Sequence, residues 1–502
     1  MHIENVRMSL FLPLLDLNLW RQIKTDVFKK KEWSMKVIKT LFSIIIPLII
    51  LLMPTELFGI EGLTIIERRV IAIFVMAALF WILEPIPIYA TSVLIIVLEL
   101  IMLSDKGFIL FRNGTSDNLG TLLSYKAIMG TFASPIILLF LGGFFLAMAA
   151  TKYRLDQNLA SMMLKPFGTK PSMVMMGLML ITAIFSMFMS NTATTAMMLA
   201  ILAPVLAVLE PNDKGKTAFA LAIPFAANVG GIGTPIGTPP NAIALKYLTG
   251  DYAISFGSWM SFGVPFVIVM LLFVWLLLKF MYKPQTQSVE LNIKGSFIKT
   301  SKAYIVYATF AVTVLLWLTD FLHGMNSYVV AMIPVGVFTA LNIITKEDLK
   351  KISWDVLWLV AGGIALGMAL DKSGLAKHLI GSIAFDKMNP VVIITSCAFL
   401  TVIMANFMSN TATANLLMPI FAALGVAVES LSGYGGVTTI IIVSALSASM
   451  GMSLPISTPP NALAHGTGLI QTKQMTKAGA IIGLVGVLLS FVTIYILNLI
   501  NF

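Results

Sequence analysis

Two copies of one polar tripeptide, Ser-Asn-Thr, lie inside apolar stretches: "FMSNTATTA" spans residues 188–196 and "FMSNTATAN" spans residues 407–415. A side-chain amide supplies fixed donors and a hydroxyl can donate or accept, so each turn could hold an oxyanion. A helix that begins after such a turn would add free backbone N–H groups and a partial positive charge. One turn alone is typical of helix packing or capping. Two copies, each followed by an interrupted helix, indicate a binding site.

The interrupted helices carry a second repeated motif. "GIGTPIGTPPNAIA" begins at residue 231 and "GMSLPISTPPNALA" at residue 451, and their glycines and prolines cannot continue a helix. Thr238 and Thr458 suit the N-cap of the helix that restarts, with a proline at its first position. Both restarts are expected to point a helix N-terminus at the middle of a membrane. The four loops offer an anion the side chains of Ser190, Asn191, Thr192, Thr238, Ser409, Asn410, Thr411 and Thr458.

The composition indicates a membrane protein. Of 502 residues, 58% are hydrophobic and 11% are charged, against about 25% charged in soluble domains. Repeated apolar runs of about 18 residues or more predict spanning helices. The formal charge of +10 lies between these runs, so it indicates membrane topology and not a nucleic-acid partner. Four scattered histidines, a single cysteine (Cys397) and the absence of a complete nucleotide-binding or catalytic motif predict neither an enzyme nor a cofactor.

An internal repeat sets the predicted architecture. The tripeptide recurs 219 residues later, "FLGGFFLAMA" from 140 resembles "LVAGGIALGMAL" from 359, and the interrupted helices follow in the same order. Each repeat is predicted to hold five crossing helices and one long apolar run. Five is odd, so the second copy must face the opposite way, as in transporters built from inverted repeats.

The expected helical runs are 36–54, 64–83, 86–103, 133–151, 172–209, 217–249, 259–282, 303–321, 327–344, 354–371, 389–429, 437–470 and 478–500. The long runs 172–209 and 389–429 could each be two full spans or a re-entrant hairpin. About 17 residues on either side of the first tripeptide give roughly 25 Å of helix, which is short for a crossing and favours hairpins.

The predicted organisation has four parts. Residues 1–35 form a cytoplasmic amphipathic segment, 36–283 hold the first span and first repeat, 284–302 are a cytoplasmic linker, and 303–502 hold the second repeat. Lys and Arg concentrate in the N-terminal segment and in alternate loops, so the N-terminus is expected in the cytoplasm. We expect a multi-pass protein of the plasma membrane.

A buried dianion needs compensating positive charge. Bound cations held by carbonyls and hydroxyls could supply it, or fixed basic residues could. Lys246 and His465, which follow the two restarts, are the candidates for fixed charges. A lysine near a helix end and a histidine satisfied by packing are the structural alternatives.

The paired Ser-Asn-Thr turns and paired Thr-Pro-Pro-Asn restarts resemble the divalent anion:sodium symporter family of dicarboxylate, citrate and sulfate carriers. The resemblance covers nearly the whole chain from about residue 36. It implies an all-α polytopic protein with about eleven spans and two re-entrant hairpins, a homodimer in the lipid bilayer, and an elevator motion. It also implies that the two turns grip the substrate's carboxylates together with Thr458 and Pro459.

The resemblance further implies sodium ions beside the turns. The first would use Ser186, Ser190, Asn191 and the Gly237 carbonyl; the second would use Asn410, the Ser457 carbonyl and a hydroxyl four residues before Ser409. That last position is Ala405, which aligns with Ser186 in the repeat. The missing hydroxyl favours sodium-independent dicarboxylate exchange, with sodium-coupled symport of a dicarboxylate or other divalent anion as the alternative.

Two other transport classes stay open. An ion channel would need a continuous polar pore. An arsenite or proton-antiport carrier would need an essential intramembrane carboxylate, for which Glu84 and Glu99 are the candidates, both near span ends and away from the motifs. Malate, succinate, 2-oxoglutarate, fumarate, citrate and sulfate are all substrates that a site of amides and hydroxyls could accept.

Overall fold

Helices make up both halves of the chain in the computed structural model, which describes residues 32–112, 118–210, 212–289, 297–382, 385 and 388–500. In the first half the helices are α1 (Glu32–Leu52), α2 (Ile65–Leu83), α3 (Ile88–Met102), α4 (Pro135–Lys152), α5 (Leu155–Leu164), α6 (Pro171–Ser186), α7 (Asn191–Val208), α8 (Gly215–Gly230), α9 (Pro239–Tyr247) and α10 (Phe256–Met281). In the second half they are α11 (Ser301–Leu318), α12 (Ser327–Ala340), α13 (Trp354–Ser373), α14 (Leu375–Gly381), α15 (Pro390–Phe407), α16 (Asn410–Ala427), α17 (Gly436–Ser449), α18 (Pro459–Gly466) and α19 (Thr472–Leu499). Single-turn helices occupy Ile109–Arg112, Tyr125–Gly130, Asp320–His323 and Lys346–Leu349.

These helices follow the predicted apolar runs closely. Seven described helices are long and apolar enough to cross a membrane: Tyr125–Lys152, Phe256–Met281, Ser301–Leu318, Trp354–Ser373, Pro390–Phe407, Asn410–Ala427 and Thr472–Leu499. Others, such as Ile88–Met102 and Ser327–Ala340, are apolar but shorter. The protein is therefore an all-α, multi-pass membrane protein, and the number of eleven spans stays a prediction.

Each long run forms two antiparallel helices around its tripeptide. The first hairpin joins α6 to α7, and the second joins α15 to α16. Ser190 caps α7, where its Oγ accepts a hydrogen bond from the Ala193 N–H at 3.3 Å. Ser409 caps α16 in the same way, accepting from the Ala412 N–H at 3.1 Å. Each turn therefore ends in a helix N-terminus, as the sequence predicts.

The interrupted helices unwind where the glycines and prolines predict. α8 ends at Gly230 and α9 begins at Pro239; α17 ends at Ser449 and α18 begins at Pro459. The Thr458 Oγ1 caps α18 by accepting from the Asn461 N–H at 3.3 Å. Thr238 holds the same position before α9, but its side chain makes no cap hydrogen bond. Both threonines therefore hold the predicted N-cap position, but only Thr458 caps its helix with a side-chain hydrogen bond.

The two repeats interleave. α3 packs along α13, α4 packs along α12, and α8 and α9 of the first repeat contact α18 and α16 of the second. Gly362 on α13 lies against Ser92 with no room for a methyl group, and Gly142 on α4 lies equally close to the Ala331 carbonyl. Small residues allow such close approach between membrane helices. The two repeats therefore share one packed core.

An ion pair ties the repeats at one end of the molecule. Lys152 Nζ at the end of α4 lies 2.5 Å from Asp348 Oδ2 in the segment before α13. Burial disfavours the charged carboxylate, but hydrogen bonds from Lys152 and Thr345 outweigh this effect and lower the pKa of Asp348 to about 2. The carboxylate is therefore ionised at neutral pH.

The structure contains two short helices in segments for which the sequence predicted no helix. α5 follows α4, and α14 follows α13, at corresponding places in the two repeats. The amphipathic segment 1–35 lies almost wholly outside the described residues, as does part of the linker 284–302. The division into these parts stays a prediction.

Candidate functional site

Both hairpin tips and both helix restarts meet at one cavity of about 360 Å³. The cavity is lined by every residue of the predicted substrate site: Ser190, Asn191, Thr192, Thr238, Ser409, Asn410, Thr411, Thr458 and Pro459. Residues 219 or more positions apart in the chain are thus brought together, because the repeats interleave. The lining presents neutral donors and the N-terminal ends of helices, which is a suitable environment for carboxylates.

The asparagines of the two Thr-Pro-Pro-Asn motifs hold the unwound backbone. Asn241 Nδ2 donates to the carbonyls of Gly231, Ile232 and Thr234 at 2.8–3.2 Å. Asn461 Nδ2 donates to the carbonyls of Met452 and Leu454 at 2.8 and 3.1 Å. Both side chains are fully buried. These bonds satisfy carbonyls that the break in each helix leaves without intrahelical partners.

A third buried asparagine joins the two repeats beside the cavity. Asn228 on α8 donates from Nδ2 to Thr458 Oγ1 and to Asn461 Oδ1, both at 3.1 Å. Asn228 also lines the cavity. The sequence analysis did not select Asn228, Asn241 or Asn461. The repeated asparagine in the two restart motifs could have indicated Asn241 and Asn461. Asn228 aligns with Ala448, so the repeat gave no indication of its role.

Oxygen atoms converge beside the first turn. Ser186 Oγ donates to Asn191 Oδ1 at 2.5 Å and lies 2.7 Å from the Ala227 carbonyl oxygen. Gly231 lies against this group: a methyl group there would be 2.8 Å from Asn191 Oδ1 and 3.0 Å from the Gly237 carbonyl oxygen. Hydroxyl, amide and carbonyl oxygens on an unwound helix are the ligands that sodium uses in transporters. Three of these residues, Ser186, Asn191 and Gly237, were predicted as ligands of the first ion, whereas Ala227 and Gly231 were not.

The second turn lacks the corresponding hydroxyl. Ala405 is fully buried and cannot donate, and the Asn410 Oδ1 is buried without a hydrogen-bond partner among the described residues. Ser457 Oγ donates to the Asn406 carbonyl at 2.9 Å. A buried amide oxygen with no partner is costly, and a bound cation would satisfy it. At this turn the Asn410 Oδ1 is therefore an oxygen available to a cation despite the missing hydroxyl.

The two predicted charge-compensating residues do not line the cavity. Lys246 Nζ donates to the Ile364 carbonyl on α13 at 2.7 Å and to the Tyr247 hydroxyl at 3.3 Å. At the end of α18, the Nε2 atom of His465 lies 3.0 Å from the Oγ1 atom of Thr472, the first residue of α19. Lys246 and His465 lie more than one helical turn after the first residues of α9 and α18, so they are beyond the helix ends that face the cavity.

Glu99 does not line the cavity. Its side chain is fully buried, and neither of its oxygens has a hydrogen-bond partner among the described residues. α3 and α13 pack side by side, and α9 also contacts α13, which brings Glu99 towards Lys246, although the described residues show no ion pair between the two side chains within 4 Å.

The rest of the cavity wall comes from helices that carry no tip. Ile88 and Tyr89 lie at the start of α3, Phe140 and Phe144 lie on α4, and Ser353, Asp355, Val356 and Leu359 lie at the start of α13. The lining therefore comes from two groups of elements: the tips and restarts supply most of the amides and hydroxyls, and α3, α4 and the start of α13 supply mostly apolar and aromatic side chains together with Ser353 and Asp355.

Comparisons with known proteins agree with this architecture. The model of the citrate transporter family matches residues 78–435. The sodium-dependent dicarboxylate transporter SdcS of Staphylococcus saprophyticus is 30% identical, with 93% of each chain covered. The protein of the same name from Staphylococcus aureus is 33% identical, with 85% of each chain covered.

A solved structure shows a related fold. The YdaH transporter of Alcanivorax borkumensis superposes with a TM-score of 0.50 at 13% identity, covering 74% of this chain and 87% of that one. The relatives are named transporters, which agrees with the expectation that the protein is not an enzyme. The chain belongs to the divalent anion:sodium symporter family of membrane carriers, as its paired motifs indicate.

Proposed function

We propose that the protein carries C4–C6 di- or tricarboxylates across the plasma membrane by sodium-coupled symport, with one anion held between the two Ser-Asn-Thr turns. The observation that carries this proposal is the meeting of both tips and both restarts at one cavity. Two carboxylate groups related by near-symmetry match two donor sets related by the inverted repeat. Each hydrogen bond to a charged group contributes about 1.5–3 kcal/mol. The related SdcS proteins are named as sodium-dependent dicarboxylate transporters.

The source of compensating charge decides between symport and exchange. Exchange without sodium was favoured by Ala405 and by fixed basic residues near the site. Lys246 and His465 do not line the cavity, and the Asn410 Oδ1 is buried without a partner among the described residues. Both observations favour bound cations as the positive charge. The proposed ligands are Ser186, Ser190, Asn191 and the Gly237 carbonyl at the first turn, and Asn410 and the Ser457 carbonyl at the second.

An elevator motion fits the two groups of elements that line the cavity. The hairpins and interrupted helices would form the moving part, and α3, α4, α12 and α13 would belong to the scaffold. If the N-terminus is cytoplasmic, the starts of α3 and α13, which line the cavity, lie on the cytoplasmic side. We further propose that scaffolds of two chains form a homodimer.

Proteoliposomes separate the mechanisms. Vesicles without internal dicarboxylate are given labelled succinate with external sodium or with potassium in its place, and protein-free vesicles serve as the control. We expect uptake only with sodium. Uptake that ignores sodium and requires internal dicarboxylate would establish exchange instead, and a conductance far above carrier turnover would establish a channel.

A further inference from the structure

Asp355 is the single charged residue among the described residues that line the cavity. The other lining side chains are hydroxyls, amides and apolar groups. Asp355 lies in the first turn of α13, two residues after the N-cap Ser353, and it is exposed. Among the described residues it has no ion-pair partner. A negative charge therefore faces a site built to receive anions.

Asp355 lies on a helix that carries neither a tip nor a restart. The tips and restarts belong to α7, α9, α16 and α18, whereas Asp355 belongs to α13, which packs along α3 and also contacts α16 and α9. An acidic residue in the first turn of a helix also stabilises that helix through its dipole. An acidic residue on any face of the first turn of α13 would stabilise the helix in this way. On the cavity face, the same charge also repels the ligand.

We propose that Asp355 is a specificity residue that limits the net charge of the bound anion, so that the site accepts dianions in preference to trianions. This inference rests on the proposed anion-binding function. Coulomb energy is proportional to each charge, so every additional negative charge on a ligand meets the same repulsion again. The neutral donors at the tips can still hold two carboxylates, and a third charge adds repulsion without a third donor set. A tricarboxylate is then best bound after it gains a proton.

The test uses two ligands and a matched set of variants. Binding of succinate and of citrate to the purified protein is measured with saturating sodium at pH 7.5, for wild type, Asp355→Asn, Asp355→Glu and Asp320→Asn. Asp320 is the control because it also lies in the first turn of a helix but does not line the cavity. If neutralising Asp355 strengthens binding by a factor of about two to five per ligand charge, succinate gains that factor squared and citrate gains it cubed. The citrate-to-succinate preference therefore rises by the single factor in Asp355→Asn. Asp355→Glu and Asp320→Asn should keep the wild-type preference.

Two further binding measurements distinguish an electrostatic effect of Asp355 on the ligand from a structural effect of the substitution. The difference between wild type and Asp355→Asn should shrink in about 1 M salt, where the Debye length is about 3 Å. Lowering the pH, which converts citrate to its dianion, should improve citrate binding more in wild type than in Asp355→Asn.

An equal change for both ligands in Asp355→Asn, or weaker binding of both, would overturn the inference while leaving the anion site intact. Failure of the wild type to bind either ligand would overturn the proposed function and the inference with it. Succinate binding by the wild type thus reports on the function, and the preference between ligands reports on Asp355.

Discussion

The two Ser-Asn-Thr turns differ in what their amide oxygens contact. Asn191 Oδ1 accepts from Ser186, whereas Asn410 Oδ1 has no partner among the described residues because Ala405 replaces the serine. The difference between Ser186 and Ala405 was visible in the sequence, since the repeat aligns them. The Ala227 carbonyl beside Ser186 was not, because every residue carries a carbonyl and only the fold selects one.

Gly231 provides a test of the first oxygen cluster. A methyl group there would lie 2.8 Å from Asn191 Oδ1 and 3.0 Å from the Gly237 carbonyl oxygen, so one of these atoms must move. We expect Gly231→Ala to raise the sodium concentration for half-maximal transport by about tenfold or more, equivalent to a loss of about 1.4 kcal/mol.

The matched control for Gly231 is Gly336→Ala on α12, where a methyl group would meet no atom within 4 Å. It should transport as the wild type does. If Gly231→Ala kept the wild-type sodium dependence, the oxygen cluster would have no part in coupling.

At the scale of elements, most of what the sequence could predict came from the length of its apolar runs. The bounds of most long helices were placed to within a few residues, because long apolar runs have few alternatives in a membrane. The re-entrant form of the two hairpins stays a prediction. α5 and α14 were missed because short helices in mixed segments have no such signal. The cap at Thr238 was predicted from residue type, yet its hydroxyl makes no cap bond, so type alone did not fix the contact.

The proximity of Glu99 to Lys246 also escaped the sequence, since it depends on how α3, α9 and α13 pack together. If the two buried charges compensate each other, removing one leaves the other uncompensated, whereas removing both does not. We therefore expect Glu99→Gln and Lys246→Met each to lower the Tm of the purified protein, and the double variant to recover most of the loss.

Thermal unfolding of all four proteins in one detergent measures this coupling. Additive losses in the double variant would show that the two charges do not interact. The exposed pair Glu347 and Lys350, whose atoms approach to 2.8 Å, is the control, because surface pairs contribute little.

At the scale of the whole molecule, the repeat explains why the site has two halves. Each repeat supplies one tip and one restart, and interleaved packing places the four around one cavity. Asn228 fastens the first repeat to the restart of the second. The sequence predicted which residues belong to the site, and the convergence itself required the fold.

The central claim is that one anion is shared by both turns. Equilibrium binding of labelled succinate to the purified protein tests it most directly, with wild type, Asn191→Ala, Asn410→Ala and Asn326→Ala, which removes an amide at the N-cap of α12 away from the cavity. The shared site predicts about one succinate per chain in wild type and in Asn326→Ala, and loss of binding in each of the other two variants. Wild-type affinity in either Asn191→Ala or Asn410→Ala would contradict it.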